Sequence, residues 1–312
     1  MEDQVSAPEQ AEAPACYRHP KKETYVRCTR CDRRICPDCM RDAAVGFQCV
    51  ECVREGNKSV RQARTVFGGK VSAVPAVTYA LITVNVLAYL AELAFPWIVG
   101  RLDNLGVGLL GPDGRYYLYE QEFVRLHGNG SGLQPVGIAF GEWYRLLTSA
   151  FLHLPPTQGT FAILHVVFNM YWLWTLGRVV EEVLGRLRFI ALYLVSGLGG
   201  SALAYLISPD QAALGASGAV FGLAVAYFVF SRRLNHDPAG ATRLIVTFLI
   251  WMVLSAGISS WEGHLGGLLA GGAVALCLAH LPRNRHLVGV GAVPALLAVL
   301  VVLKTSQLTG VV

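Results

Sequence analysis

The first 70 residues are polar and charged, and from residue 76 onward the chain becomes a succession of long apolar stretches with short connectors. Crossing a bilayer as a helix takes about 20 apolar residues, with a range of about 17–25. By that measure the pattern predicts seven spans, at 76–97, 161–177, 189–207, 212–230, 242–258, 263–281 and 287–303. The fifth has the shortest apolar core, at 244–258. One connector, 98–160, is long. It mixes turn signals (GPDG at 111–114, GNGSG at 128–132) with amphipathic stretches such as YYLYEQEFVRL. A connector of that length in a compact bundle is usually functional or carries structure of its own.

Composition agrees with the pattern. The 312 residues are 54% hydrophobic and 15% charged, whereas soluble domains carry about a quarter charged residues. Mean hydropathy is +0.45. The net charge of +5 is modest and its basic excess sits in connectors, so it reads as a topology signal and no nucleic-acid partner is expected. Arg54, Lys58, Arg61, Arg64 and Lys70 precede the first span. Arg178, Arg186 and Arg188 join the second to the third, Arg232, Arg233 and Arg243 the fourth to the fifth, and Arg283 and Arg285 the sixth to the seventh. Parity puts all four segments on one side, and Lys and Arg mark the cytoplasmic side. The opposite connectors, SPDQ at 208–211 and SSWE at 259–262, hold neither. The expectation is a multi-pass protein of the cell membrane, N-terminus cytoplasmic and C-terminus outside. Residues 1–15 are acidic, rich in Pro and Ala, and without an apolar core, which predicts a disordered tail rather than a signal peptide. Asn129-Gly130-Ser131 fits a glycosylation triplet, a pattern common by chance.

Polar residues at membrane depth carry the candidate chemistry. Gly215-Ala216-Ser217-Gly218 lies at the start of the fourth span. A serine hydroxyl needs a base to become a useful nucleophile, and small residues alone more often mean helix packing. His264 opens the sixth span within GHLGG, and an ionisable group there is costly enough to suggest a function. The bland reading is a neutral histidine with one hydrogen bond. Gly263, Gly267 and Gly271 share one helix face, as do Gly218 and Gly222. Such faces permit close approach, which would bring Ser217 to His264. His165 and Asn169 are spaced i, i+4 in the second span, so both project from one face. They suit either a structural pair or donors to a developing oxyanion. Trp143-Tyr144-Arg145, before the second span, suits an interfacial anchor.

Taken in order, WYRLLTSAFLH, HVVFN (165–169), GASG (215–218) and GHLGG (263–267) resemble the rhomboid intramembrane protease pattern over roughly 75–303. The resemblance implies an all-α polytopic bundle of six core spans, here with a seventh C-terminal one. It implies a Ser217–His264 dyad without a third acid, and His165 and Asn169 as oxyanion stabilisers beside the Ser217 N–H. It further implies Gly215, Gly218 and Phe221 as supporting residues, with Trp143 and Arg145 as an outer-loop pair. Tyr144 separates that pair, Phe221 stands where tyrosine is often found, and Gly263 where alanine is common. No cofactor is expected for catalysis. Transmembrane protein substrates are expected, cleaved near the outer surface, with Trp251 near a lateral gate. A proteolytically silent relative would lack one dyad member, which this chain has. A transporter with a polar path is the reading from another class. Neither repeated halves nor interrupted helices support it, and Glu92, its best feature, is expected to reach water.

Seven of the eight cysteines fall between Cys16 and Cys52. The pairs Cys16-x2-His19, Cys28-x2-Cys31, Cys36-x2-Cys39 and Cys49-x2-Cys52 supply eight soft ligands, enough for two structural zinc ions. The head resembles a B-box-type or related cross-braced zinc finger. That resemblance pairs Cys16, His19, Cys36 and Cys39 on one ion and Cys28, Cys31, Cys49 and Cys52 on the other, while spacing alone leaves a sequential pairing open. With so little apolar content the head is expected to fold only with metal and to meet a cytosolic protein partner. Cys277 reads as a packing residue. The expected organisation is a tail at 1–15, a zinc-binding domain at 16–53, a basic linker at 54–75, the membrane domain at 76–303 with its outer loop at 98–160, and an outer tail at 304–312.

Overall fold

The structure, a computed structural model, describes residues 13–59, 63–72, 74–117, 132–158, 161–257 and 259–310. Most of the expected tail, Arg61, the 129–131 triplet and the larger part of YYLYEQEFVRL lie outside these residues. The chain divides into two compact units, Met1–Gln62 and Ala63–Val312.

Among its described residues the first unit carries two short antiparallel hairpins and one α-helix. Strand β1 (Ala15–Cys16) pairs with β2 (His19–Glu23), and β3 (Met40–Asp42) with β4 (Phe47–Cys49). Helix α1 (Val50–Ser59) follows, so helix occupies the start of the stretch read as linker. The buried core consists of Cys16, Cys28, Cys36, Cys39, Cys49, Cys52 and Ile35. With a single aliphatic side chain at its centre, this unit lacks the apolar burial that normally offsets chain entropy.

The second unit is a helical bundle. Among the described residues its α-helices are α2 (Ala76–Ala94), α3 (Trp97–Leu102), α4 (Arg145–Thr148), α5 (Phe161–Leu184), α6 (Arg186–Ile207), α7 (Ser217–Leu234), α8 (Pro238–Leu254), α9 (Trp261–His280) and α10 (His286–Thr309). Among the described residues, α2, α5 from Ala162, α6, α9 and the segment Arg283–Thr309 are long and apolar enough to cross a membrane, and α8 is shorter. Helix α7 is packed by α5, α6, α8 and α9 and buries most of its small residues. A helix so enclosed meets protein on most sides and needs little lipid-facing apolar surface.

Two helix boundaries differ from the hydropathy pattern for local reasons. The fourth stretch becomes helical only at Ser217, because Gly215 holds φ +132, a conformation that keeps the preceding segment out of the helix. The second continues past 177 to Leu184, carrying Glu181 inside the bundle. That carboxylate accepts from the N–H groups of Val77 (3.0 Å) and Thr78 (2.8 Å) and from the Thr78 hydroxyl (2.8 Å). It thereby satisfies donors that the start of α2 leaves without intrahelical partners. At the other end of the chain, α10 runs into the stretch read as an outer tail.

Three helices meet through backbone. A Cβ added at Gly267 on α9 would sit 2.0 Å from the Gly218 carbonyl oxygen on α7, and one at Gly266 would sit 2.2 Å from that of Gly199 on α6. Packing without side chains between the helices is how small residues associate helices where no hydrophobic force between them exists.

The described parts of the long connector fold as well. After α3 comes a three-stranded antiparallel sheet in the order β6-β5-β7, built from β5 (Gly108–Leu110), β6 (Tyr116–Tyr117) and β7 (Gln134–Val136). Strands here were not expected from the pattern. The segment is tied at Arg145, whose side chain is fully buried. It donates to Asp103 Oδ1 (2.7 Å), the carbonyls of Gly100 (2.9 Å) and Asp103 (3.1 Å), and Glu142 Oε2 (2.8 Å). Burial pushes the Asp103 carboxyl up to about 7, against the opposing pull of the Arg145 charge. Trp143, by contrast, is exposed.

Candidate active site

Gly215, Ala216 and Ser217 form the entry to α7. The Gly215 N–H donates to the Ser149 carbonyl at 2.9 Å, and a Cβ at Gly215 would meet the His165 ring, 2.9 Å from Nε2. Ser217 is thus the first helical residue, and its N–H belongs to the set that a helix start leaves free. That end of the helix also carries the positive end of the macrodipole. A hydroxyl placed there stands where negative charge is favoured.

His264 lies on the first turn of α9, 4% exposed. Its Nε2 is 3.0 Å from Ser217 Oγ, a hydrogen-bond distance. The ring lies face to face with Phe221, with centroids 4.4 Å apart and planes inclined by 11°. Among the described residues Nδ1 has no hydrogen-bond partner, so the stacked ring, rather than a carboxylate, fixes the orientation of the imidazole. The close approach of α7 to α9 at Gly218 and Gly267 makes this distance possible, since side chains there would hold the helices apart.

His165 and Asn169 project from α5 toward the same place. His165 Nδ1 accepts the Leu154 N–H at 3.4 Å, and Nε2 faces Gly215 and Ser217. Asn169 Nδ2 donates to the His165 carbonyl at 2.9 Å, leaving its second N–H for other use. Ser217 and His264 line two cavities. One of about 230 Å³ has the polar side chains of Asn104, Ser149, His165, Ser201 and Ser260 in its wall together with small residues and Val99, Leu154 and Leu214. The other, of about 220 Å³, is apolar and lies between α5 and α8, walled by Phe168, Trp172, Phe248 and Trp251. The arrangement sets a hydroxyl within hydrogen-bond distance of an imidazole, with N–H groups beside it, one cavity with polar side chains in its wall and one apolar slot.

Several contributors were not anticipated. The α6 glycines Gly199 and Gly200 complete the three-helix contact, and the small-residue run SGLGGSA at 196–202 was the available signal. Glu92 is fully buried and does not reach water; both its oxygens accept the His153 N–H, at 3.2 and 3.1 Å. Trp143 and Arg145 are not part of the cluster around Ser217.

In the first unit the ligand atoms of Cys16, His19, Cys36 and Cys39 lie within 4.8 Å of one another, as do those of Cys28, Cys31, Cys49 and Cys52. This is the interleaved arrangement and not the sequential one. A tetrahedral zinc site with bonds of about 2.3 Å to sulfur has sulfur–sulfur edges of about 3.8 Å. Cys31 and Cys49 Sγ are 3.8 Å apart, and His19 Nδ1 lies 3.9, 3.3 and 3.5 Å from Cys16, Cys36 and Cys39 Sγ. The donor sets therefore fit zinc in kind and in spacing. Burial and the neighbouring thiols Cys16 and Cys36 push Cys39 up to about 11. Burial and the thiols of the second cluster push Cys52 up to about 12. In Cys16 burial is outweighed by backbone donors of Arg18, Cys36 and His19, which bring it down to about 6. A divalent cation would relieve the crowding in both clusters.

Residues 140–281 match the rhomboid domain. Over 150 residues the chain is 38% identical to rhomboid protease GluP of Bacillus subtilis (strain 168), a match covering 47% of this chain and 28% of that protein. YdcA of the same strain, provisionally named a rhomboid protease, is 34% identical over 157 residues, covering 48% of this chain and 75% of that protein. RHOMBOID-like protein 6, mitochondrial, of Arabidopsis thaliana is 32% identical over 150 residues, covering 46% of each. The chain thus spans less than a third of GluP, under half of the Arabidopsis protein and three quarters of YdcA. The matched region holds Arg145, His165, Asn169, Ser217, Phe221 and His264. With a helical, multi-span bundle built around these residues, the chain belongs to the rhomboid family.

Proposed function

We propose that the protein is an intramembrane serine endopeptidase that hydrolyses peptide bonds in or beside the transmembrane segments of other membrane proteins. The observation that carries this reading is the 3.0 Å contact between Ser217 Oγ and His264 Nε2 at the start of an enclosed helix. Ser217 attacks the scissile carbonyl while His264 takes its proton. The tetrahedral oxyanion is received by the Ser217 N–H, His165 Nε2 and the free N–H of Asn169. His264 returns the proton to the leaving amine, and water then cleaves the acyl-enzyme by the same route in reverse. The polar cavity supplies that water. The apolar slot between α5 and α8, with Trp251 in its wall, is the side entry for a substrate segment. A helical substrate has its carbonyls tied in hydrogen bonds, so cleavage requires a stretch rich in Gly, Ser or Ala that can unwind.

We read the bundle as seven spans, with the N-terminal unit in the cytoplasm, the C-terminus outside and the Ser217 end of the bundle toward the outer surface. The positions of Arg186, Arg188, Arg283 and Arg285 at the opposite helix ends support this. The N-terminal unit holds two structural zinc ions through the two four-ligand sets and serves as an interaction module for a cytosolic protein. Zinc supplies folding energy there and takes no part in the hydrolysis.

The test is cleavage of a single-span reporter by purified full-length protein in liposomes. Wild type is expected to cleave, and Ser217→Ala and His264→Ala are expected to be inert. Cleavage that survives in Ser217→Ala overturns the mechanism. If no reporter is cut, labelling of Ser217 by a fluorophosphonate separates a selective protease from a silent relative.

A further inference from the structure

Two features beside the site have no part in the chemistry above: the buried Glu92 carboxylate, near the end of α2, and the segment 152–155, of which Leu152 and His153 are buried. Glu92 is fully buried, and among the described residues its only hydrogen-bond donor is the His153 N–H, shared between both oxygens. An acid at membrane depth held by a single backbone N–H is costly, so its retention calls for a reason at that point. The next residue supplies one. The Leu154 N–H donates to His165 Nδ1 at 3.4 Å. A ring nitrogen that accepts carries no proton, so in the neutral imidazole the proton sits on Nε2. That nitrogen faces the space over Ser217: a Cβ placed on Gly215 would be 2.9 Å from His165 Nε2 and 3.5 Å from Ser217 Oγ. The segment between is well suited to being pinned. Leu154 precedes Pro155, which disfavours helical backbone there, and the His153 ring lies against that of His165 with centroids 5.4 Å apart.

We propose that Glu92 is a positioning residue for the oxyanion site: it holds the His153 N–H, which aims the Leu154 N–H at His165 Nδ1 and so fixes the Nε2–H donor over Ser217. The proposal rests on the serine-protease reading and deepens it. Glu92 touches no substrate and acts only through His165. What it contributes is an oxygen acceptor, so glutamine can replace it and methionine, of similar length, cannot.

The experiment measures kcat and KM on a fluorogenic transmembrane peptide in detergent for wild type, Glu92→Met, Glu92→Gln, His165→Ala and the double variant Glu92→Met/His165→Ala. Loss of an oxyanion donor costs about 10²–10³ in kcat, and misdirecting one is expected to cost about tenfold. Glu92→Met should therefore lower kcat about tenfold with KM unchanged, and Glu92→Gln should restore most of it. In the His165→Ala background, Glu92→Met should change nothing further, because its route of action is gone. An equal loss with and without His165 means general destabilisation and overturns the proposal, as does a wild-type kcat in Glu92→Met. If Glu92→Met does not fold, long-range 1H–15N spectra of histidine-labelled wild type decide. The signals lost in His165→Ala must be those of an Nε2–H ring, and an Nδ1–H ring overturns the proposal. Wild-type kcat in His165→Ala would instead sink the oxyanion reading itself.

Discussion

Replacing Gly267 by alanine tests whether the Ser217–His264 distance is set by backbone contact. The added methyl would lie 2.0 Å from the Gly218 carbonyl oxygen and 2.5 Å from its carbonyl carbon, against a normal carbon–oxygen contact of about 3.3 Å or more. Both obstacles are backbone, so no side chain can swing aside, and α9 must move from α7 by about 1 Å. Overpacking of this kind costs about 1–3 kcal/mol. The same displacement opens the present 3.0 Å hydrogen bond to about 4 Å, beyond reach. A misplacement of about 1 Å can cost about 100-fold in rate. Gly267→Ala should therefore lower the melting temperature and reduce kcat by roughly two orders of magnitude on the fluorogenic peptide. Gly272→Ala is the control: it lies on the same helix, but its methyl would meet only Val225 side-chain carbons at 3.5 and 3.7 Å. That is ordinary contact, and replacing helical glycine relieves about 0.8–1 kcal/mol of propensity cost. Wild-type kcat and melting temperature in Gly267→Ala, or equal damage from both substitutions, would refute the argument that backbone proximity sets the dyad.

Phe221→Leu removes the flat surface under His264 while keeping an apolar side chain. A stacked aromatic pair is worth about 0.5–1.5 kcal/mol, so kcat should fall by about 2- to 12-fold with KM unchanged, and Phe221→Tyr should retain the wild-type rate; steady-state kinetics on the same peptide checks both. The N-terminal unit should release two zinc ions per chain, one per ligand set, when its thiols are blocked in a colorimetric chelator assay, and Cys49→Ser should release at most one. If zinc stands in for the missing apolar core, chelation should expose the unit to rapid proteolysis while the membrane bundle stays intact.

What could be read before the structure divides along a physical line. Apolar stretches of span length and cysteine pairs at two-residue spacing are local signals, and both reappear as helices and as four-ligand sets. Ser217 and His264 lie 47 residues apart, yet each sits in a glycine stripe, and helices with matching small-residue faces can meet in few ways. Helix ends were less legible, because they depend on single residues: φ +132 at Gly215 delays α7, and the carboxylate of Glu181 sustains α5 beyond its apolar stretch. The β5–β7 sheet had no periodicity to announce it, its strands being two or three residues long.

Buried acids were the hardest to interpret, and the reason is general. A carboxylate in a span can face water, a cation or backbone donors, and sequence composition does not distinguish these. The donors for Glu181 lie 103 and 104 residues away, and that for Glu92 lies 61 residues away. Each acid holds a segment that makes few other hydrogen bonds: the first turn of α2 for Glu181, and the irregular stretch before Pro155 for Glu92. Both therefore do with one side chain what a helix or sheet ladder does elsewhere, satisfying N–H groups that would otherwise be left bare at membrane depth, where each would cost several kcal/mol. Apart from the Thr78 hydroxyl, their partners are backbone atoms, present at nearly every residue. An Asp or Glu that pairs with main chain thus leaves no complementary charge in the sequence, and only the fold reveals what it holds.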